Sequence, residues 1–209
     1  MIEKSTYEDL NNIAHCHRDA FPQSFSTKLG HVYCMKMFEW YLSTDKTFLF
    51  HLTIDNQIVG YCGGKVERAL GSGSTSAMIQ YSFNQAILSI ITKPWLLFNK
   101  TMISNYYIIY KNILVKLGFK KKSGATKRLS KDTSISIGLV VIGVSRSYQR
   151  LGYGSKLLFE FEKKSKEYGA EKINLTVLPS NTNAIMSYEK NGWLVNKQTN
   201  KKTTMYKNI

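Results

Sequence analysis

The chain has 209 residues, with 29 Lys+Arg against 14 Asp+Glu for a formal charge of +15, and it is 43% apolar and 12% aromatic. That length and apolar content support a buried core, which excludes a disordered segment or a miniprotein held by disulfides or metal. Three Pro and 14 Gly exclude collagen-like and low-complexity architectures, and no repeat of solenoid or propeller period is visible.

Residues 1–4 read as a short strand. Ser5-x-x-Glu8 has the form of a capping box and is expected to open a helix. That helix carries Leu10, Ile13, Ala14 and His17 on one face and ends near Phe21-Pro22. The first twenty residues lack the apolar run of a signal peptide. A second helix is expected over 31–42, where Val32, Met35, Phe38 or Glu39, and Leu42 recur at helical spacing. Cys16, Cys34 and Cys62 are odd in number with no CxxC pair, so a disulfide framework is not expected and a reducing, cytoplasmic setting is. His15 and His17 flank Cys16, but i,i+2 spacing sends their side chains to different helix faces, so no metal site is expected.

The segment 47–54 (TFLFHLTI) reads as a strand, Asp55-Asn56 as a tight turn, and 57–67 as the partner strand. Gly60, Gly63 and Gly64 inside that partner point to a bulge or the close approach of another group. A long helical stretch follows over about 76–117, split by Pro94. Its apolar stripe includes Ile87, Ile90, Ile91, Trp95, Phe98, Tyr106 and Ile113, a pattern more often core than membrane surface. Its most apolar part, 86–98, is broken at Lys93-Pro94, well short of the roughly 20 residues of a membrane span, so no integral membrane segment is expected. From Lys116 to Lys131 come seven basic residues, Lys120, Lys121 and Lys122 among them, and no acid. The chain is therefore read as a single domain, 1–209, with a helical insertion at about 74–118 and a basic loop at about 118–133. That loop is either a solvated surface or the site of an anionic partner.

The last third alternates strand (134–144), amphipathic helix (152–168), strand (172–178), short helix (181–190), and closing strands at 193–195 and 203–206. This is an α/β pattern. Leu157, Leu158 and Phe161 face inward on the long helix, and Gly169 is placed to stop it. Gln149-Arg150-Leu151-Gly152-Tyr153-Gly154 joins the first strand to that helix. A tight turn there feeds a helix N-terminus, whose free N–H groups and positive dipole end suit phosphate. It is neither GxGxxG, since position 157 is Leu, nor GxxxxGK[ST], since Gly64-Lys65 is followed by Val66.

The set VVIGVSRSYQRLGYGSKLL, a strand ending Val177-Leu178-Pro179, and Asn181-x-x-Ala184-x-x-x-Tyr188-x-x-x-Gly192-Trp193 resembles the GNAT superfamily of acetyl-CoA-dependent N-acetyltransferases. The match covers about 137–194. The resemblance implies a mixed, mostly antiparallel sheet flanked by helices, acetyl-CoA as cosubstrate, and a primary amine as acceptor, on a small molecule such as a nucleotide-carried amino sugar, an aminoglycoside-like compound or a polyamine, or on a protein. It also implies roles. Following Gln149, the backbone N–H groups of Arg150, Leu151, Gly152, Tyr153, Gly154 and Ser155 would cradle the pyrophosphate. Backbone at Ile142 and Val144 would pair with pantetheine where two strands splay. Asn181, or less readily Asn183, would hold the pantetheine arm, and Tyr188 would protonate the leaving thiolate.

Many relatives place a carboxylate on the strand before the pyrophosphate turn. This chain has Ser134, Ser136 and Gly138 there and no acid, which leaves Glu67 and His17 as candidate bases. His17-x-x-x-Phe21-Pro22 falls where the family builds its acceptor wall. The basic loop tilts the acceptor toward an anionic small molecule such as a nucleotide-linked amino sugar. The residues also allow another reading, a basic module that binds nucleic acid or a membrane surface; the two are compatible because the two loops are separate segments.

Overall fold

In the computed structural model, residues 1–67, 74–99 and 135–209 are described. The basic loop and the second half of the expected helical stretch lie outside them. Strands β1 (Ile2–Lys4), β2 (Thr47–Ile54) and β3 (Gln57–Glu67) make the first antiparallel ladder. Asp55 and Asn56, with φ of +47° and +59°, supply the two left-handed residues that a two-residue hairpin turn needs to match strand twist.

Strands β4 (Ser136–Val144), β5 (Lys172–Val177), β6 (Leu194–Gln198) and β7 (Thr203–Asn208) complete a seven-stranded sheet in the order β1-β2-β3-β4-β5-β7-β6. Among the described strands only β4 and β5 run parallel. The sheet is therefore mixed and mostly antiparallel, as expected.

Helices cover both faces. On one, α6 (Tyr153–Glu167) and α7 (Thr182–Lys190) close a core of Phe48, Phe50, Ile137, Leu139, Leu157, Phe161, Ile173, Trp193 and Met205. On the other, α1 (Leu10–Ala20) and α3 (His31–Glu39) pack Ile13, Cys16, Phe38 and Tyr41 against Leu49 and Tyr61. The hairpin strands alternate between these two cores, so each helical layer anchors the sheet from its own side. Helices α4 (Ser74–Tyr81) and α5 (Phe83–Thr92) extend the second layer, and a 3₁₀ turn at Pro94–Phe98 follows.

Three local readings are corrected. Ser5 caps no helix: its hydroxyl pairs with His51 Nδ1 at 3.0 Å in the interior, and α1 begins at Leu10. Asp9 instead takes the Thr6 N–H at 2.8 Å, reversing the direction of the expected cap. A five-residue helix, α2 (Phe25–Leu29), stands between the two expected, with Ser24 Oγ accepting the Thr27 N–H at its N-terminus. The helical stretch breaks at Ser82 as well as at Pro94.

Candidate functional site

Strand β4 contains one residue more than its neighbour can match. Leu139 pairs with Gly64 and Val141 with Gly63, so Val140 is an unpaired bulge. A bulge bends its strand and increases twist. At the same level the pairing of β4 with β5 ends, with Leu139↔Leu175 its last pair. Strand β5 continues beside β7 as far as Val177↔Thr203. The two parallel strands thus part like a V. A cleft of about 300 Å³ lies there, lined by His17, Phe21, Ser24, Leu139 to Ile142, Leu175, Thr176 and Tyr188.

The glycine turn lies beyond the far end of β4. Arg150 and Gly152 take φ of +64° and +84°. Two left-handed residues so close together turn successive N–H groups toward one side, the geometry of an anion nest. The N–H groups of Arg150 through Ser155 donate to no acceptor among the described residues; the first amide used is that of Lys156, bonded to the Gly152 carbonyl at 3.1 Å. A Cβ built on Gly152 or Gly154 would meet nothing within 4 Å. The turn is thus open to solvent with its donors free, and this fits a pyrophosphate group lying against it. Gln149 does not face that space: its side-chain amide donates to the Val144 carbonyl at 2.9 Å and ties the turn to the strand.

Tyr188 lines the cleft from α7 and packs on Trp193, ring centroids 5.9 Å apart. Burial pushes its phenol up to about 12, so the hydroxyl keeps its proton at neutral pH. Asn181 is the N-cap of α7, its carbonyl oxygen accepting the Ala184 N–H at 3.3 Å; the residue is exposed. Ile142 and Val144 are half-buried, with no β5 partner at their level.

Glu67 does not line the cleft. It ends β3 opposite Ser136, with its carboxyl over Gly138: a Cβ on that glycine would come within 3.3 Å of the carboxyl carbon. Asn174 Nδ2 reaches the same carboxylate at 3.5 Å. Gly138↔Asn174 is the pair next to the last one before the strands part. Ile137 and Leu139 point into the α6 core, so by alternation Gly138 and the carboxylate above it face the α1 side. The carboxyl group therefore stands at the apex of the V.

His17 does line the cleft, yet it is tied back into the protein. The Tyr61 hydroxyl lies 2.6 Å from Nδ1, and Ser26 Oγ lies 2.8 Å from Nε2. Burial holds the Tyr61 phenol well above its ordinary range, so it meets Nδ1 as a protonated hydroxyl, and the ring tautomer sets which partner donates at each nitrogen. Burial lowers the imidazole to about 4. His17 is accordingly neutral, with both nitrogens engaged.

Sequence reasoning missed the partners that fix this wall: Tyr61 from β3 and the serine pair Ser24 and Ser26, 2.9 Å apart. It also missed the tether between α1 and the approach to the glycine turn. Asp19 Oδ2 accepts the Arg146 N–H at 2.8 Å, and the Ser145 hydroxyl meets Cys16 Sγ at 3.3 Å. The only local signal was Ser24, three residues before Thr27 in cap spacing. No cluster of metal-ligating side chains occurs among the described residues.

Comparison with known proteins agrees with this geometry. The acetyltransferase (GNAT) family model matches residues 126–193. The fold of PaiA N-acetyltransferase from Thermoplasma acidophilum, solved with coenzyme A, superposes with a TM-score of 0.58 at 15% identity, covering 100% of this chain and 98% of that one. The ribosomal-protein-S18-alanine N-acetyltransferase of Escherichia coli gives 0.56 at 16% identity, covering 100% and 93%. Arabidopsis thaliana NAA60 with acetyl-CoA gives 0.58 at 14% identity, covering 100% and 98%. No curated protein matches the sequence. Likeness at such identities establishes the fold, and the family match falls on the strand, turn and helices that build the cleft. On both grounds, the described residues have the fold of the GNAT N-acetyltransferases, and residues 126–193 resemble that acetyltransferase family in sequence.

Proposed function

We propose that the protein transfers an acetyl group from acetyl-CoA to a primary amine on a small acceptor whose remainder is neutral or anionic, such as a nucleotide-linked amino sugar. The observation that carries this reading is the run of unbonded N–H groups from Arg150 to Ser155 beside an open strand edge. The N–H groups would hold the pyrophosphate, backbone at Ile142 and Val144 would pair with the pantetheine arm, and the Asn181 amide would close over that arm. Bound there, acetyl-CoA supplies an activated acyl group on a good leaving thiolate.

Each protein group then has a task. A lysine-like amine with pKa near 10.4 gives up about 4.6 kcal/mol to be neutral at pH 7, so a base helps. Glu67 is the proposed base, acting through water from the apex of the V. The missing Cβ of Gly138 makes the room for its carboxylate, which takes the place of an acid on β4 itself. The neutral amine attacks the thioester carbonyl, the C–S bond breaks, and the amine proton passes to the carboxylate. Tyr188 donates a hydrogen bond to the sulfur as charge collects there. Full transfer from a phenol near 12 to a thiolate near 8.5 runs uphill by roughly 5 kcal/mol, so its main contribution is that hydrogen bond.

The acceptor's character follows from the wall. Among the described residues no Asp or Glu lines the cleft, so a polycationic acceptor finds no row of carboxylates there, and the +15 chain attracts anions. Calorimetric titration with acetyl-CoA is expected to show binding that Gly152→Glu abolishes. A panel of amines, scored by thiol release, is then expected to favour anionic amino sugars over polyamines. Failure of the wild-type chain to bind acetyl-CoA overturns the reading.

A further inference from the structure

Helix α5 and the 3₁₀ turn after it are apolar on the wrong side. Ala86, Ile90 and Leu96 face the core, as the fold requires. The opposite side should be polar. Instead Leu88, Ile91, Trp95, Leu97 and Phe98 stand exposed, with Ile91 at 69%, Trp95 at 64% and Phe98 at 82%. Lys28 and Lys93 flank them, lining with Trp95 and Phe98 a depression of about 480 Å³. Lys93 Nζ lies 3.4 Å from the carbonyls of Lys28 and Leu29, which holds the cationic rim in place beside the rings.

The charge pattern of the sequence that carries this patch identifies its partner. Between Glu67 and Asp132 the sequence contains no acid at all, while eleven of the 29 Lys+Arg fall there. A patch of aliphatic and aromatic side chains in an acid-free, cation-rich stretch complements an anionic lipid surface. Nucleic acid would use the cations but gain little from Leu88, Ile91 and Leu97, which neither stack nor hydrogen-bond. A second copy would bring Lys28 and Lys93 against their own counterparts. No described helix is long and apolar enough to cross a bilayer, and the patch lies along a short helix and one turn, the form of an in-plane contact.

We propose that this face docks the enzyme on an anionic membrane surface, with Trp95, Leu97 and Phe98 entering the interface and lysines meeting the headgroups. The surface lies outside the cleft lining, so docking and acetyl transfer are separable.

The molecule has a built-in reporter. Of its three tryptophans, Trp40 and Trp193 are buried at 6% and 1% exposure, and Trp95 is open. Mixing the full chain with vesicles of phosphatidylcholine containing a quarter phosphatidylglycerol is expected to blue-shift its emission and carry it into the pellet. Trp95→Phe should pellet equally but lose the shift. Trp95→Ser with Phe98→Ser should weaken pelleting more than tenfold while leaving the circular dichroism spectrum and acetyl-CoA binding unchanged. Lys28→Gln should weaken it about fivefold, and added salt should weaken it further. The proposal is overturned by equal pelleting on pure phosphatidylcholine, by pelleting indifferent to the serine pair, by affinity for duplex DNA in place of vesicles, or by a dimer that the serine pair dissociates.

Discussion

Gly154 separates the cost of folding from the cost of binding. It lies in the first turn of α6, and a side chain there would enter empty space. Gly154→Ala should therefore stabilise the fold by about 0.5–1 kcal/mol, since alanine loses less backbone entropy in a helix. A larger side chain, Gly154→Val, should fold as well as wild type yet obstruct the N–H nest. Thermal denaturation with acetyl-CoA calorimetry on both variants reads the two effects apart; a Gly154→Val protein that binds normally would move the pyrophosphate elsewhere. Glu67 gives the complementary test at the reacting end. Glu67→Gln should lower kcat by about 100-fold or more at pH 7. The deficit should shrink as pH rises toward the acceptor's own pKa, where the amine no longer needs a base. A loss that is constant with pH would make Glu67 a packing residue between Gly138 and Asn174.

Among the elements, β3 and β4 set both the core and the opening. Gly64 sits where β3 passes between two aromatic rings, and a Cβ there would lie 2.7 Å from Phe161 while pressing on Phe48. Gly64→Ala should cost about 2–3 kcal/mol, read as a lowered urea midpoint with an unchanged slope. The hairpin that carries this strand was legible residue by residue, because an apolar run, Asp55-Asn56 and a second run are local signals. The glycine turn was legible for the same reason: φ preference and helix N-terminal chemistry are written in neighbouring residues. The bulge at Val140 was not, since an extra residue exists only relative to a partner strand. Helix α2 spans too few residues for a period to show, and Ser82 breaks a helix without Pro or Gly. The approach of Glu67 to Gly138, 71 positions away, is a contact between strands that no local spacing encodes. The same holds for the Tyr61–His17–Ser26 chain, whose members come from three different elements.

On the scale of the whole molecule, buried neutral imidazoles make the fold sensitive to acid. His17 takes its proton at about 4 in the folded protein and near 6.5 in the unfolded chain. As pH falls through 6.5 the unfolded chain binds a proton that the folded chain refuses, so stability is full above 6.5 and declines below it. By pH 4 about 3 kcal/mol is lost from this one ring. His51 works in the same direction: burial lowers it, against the opposing pull of Asp9 and Glu3. The two rings sit in different places, His17 between α1 and β3 and His51 on β2 near Ser5, so acid attacks the α1 layer at two points. That layer forms one side of the cleft. Urea titrations at pH 7 and pH 4.5 are therefore expected to show a marked fall in the midpoint for wild type. His17→Gln should show a smaller fall, because its amide does not titrate. If the variant loses as much stability as wild type across that range, the proton enters elsewhere, and the neutral histidine in the cleft wall is not what makes this sheet and its helices labile in acid.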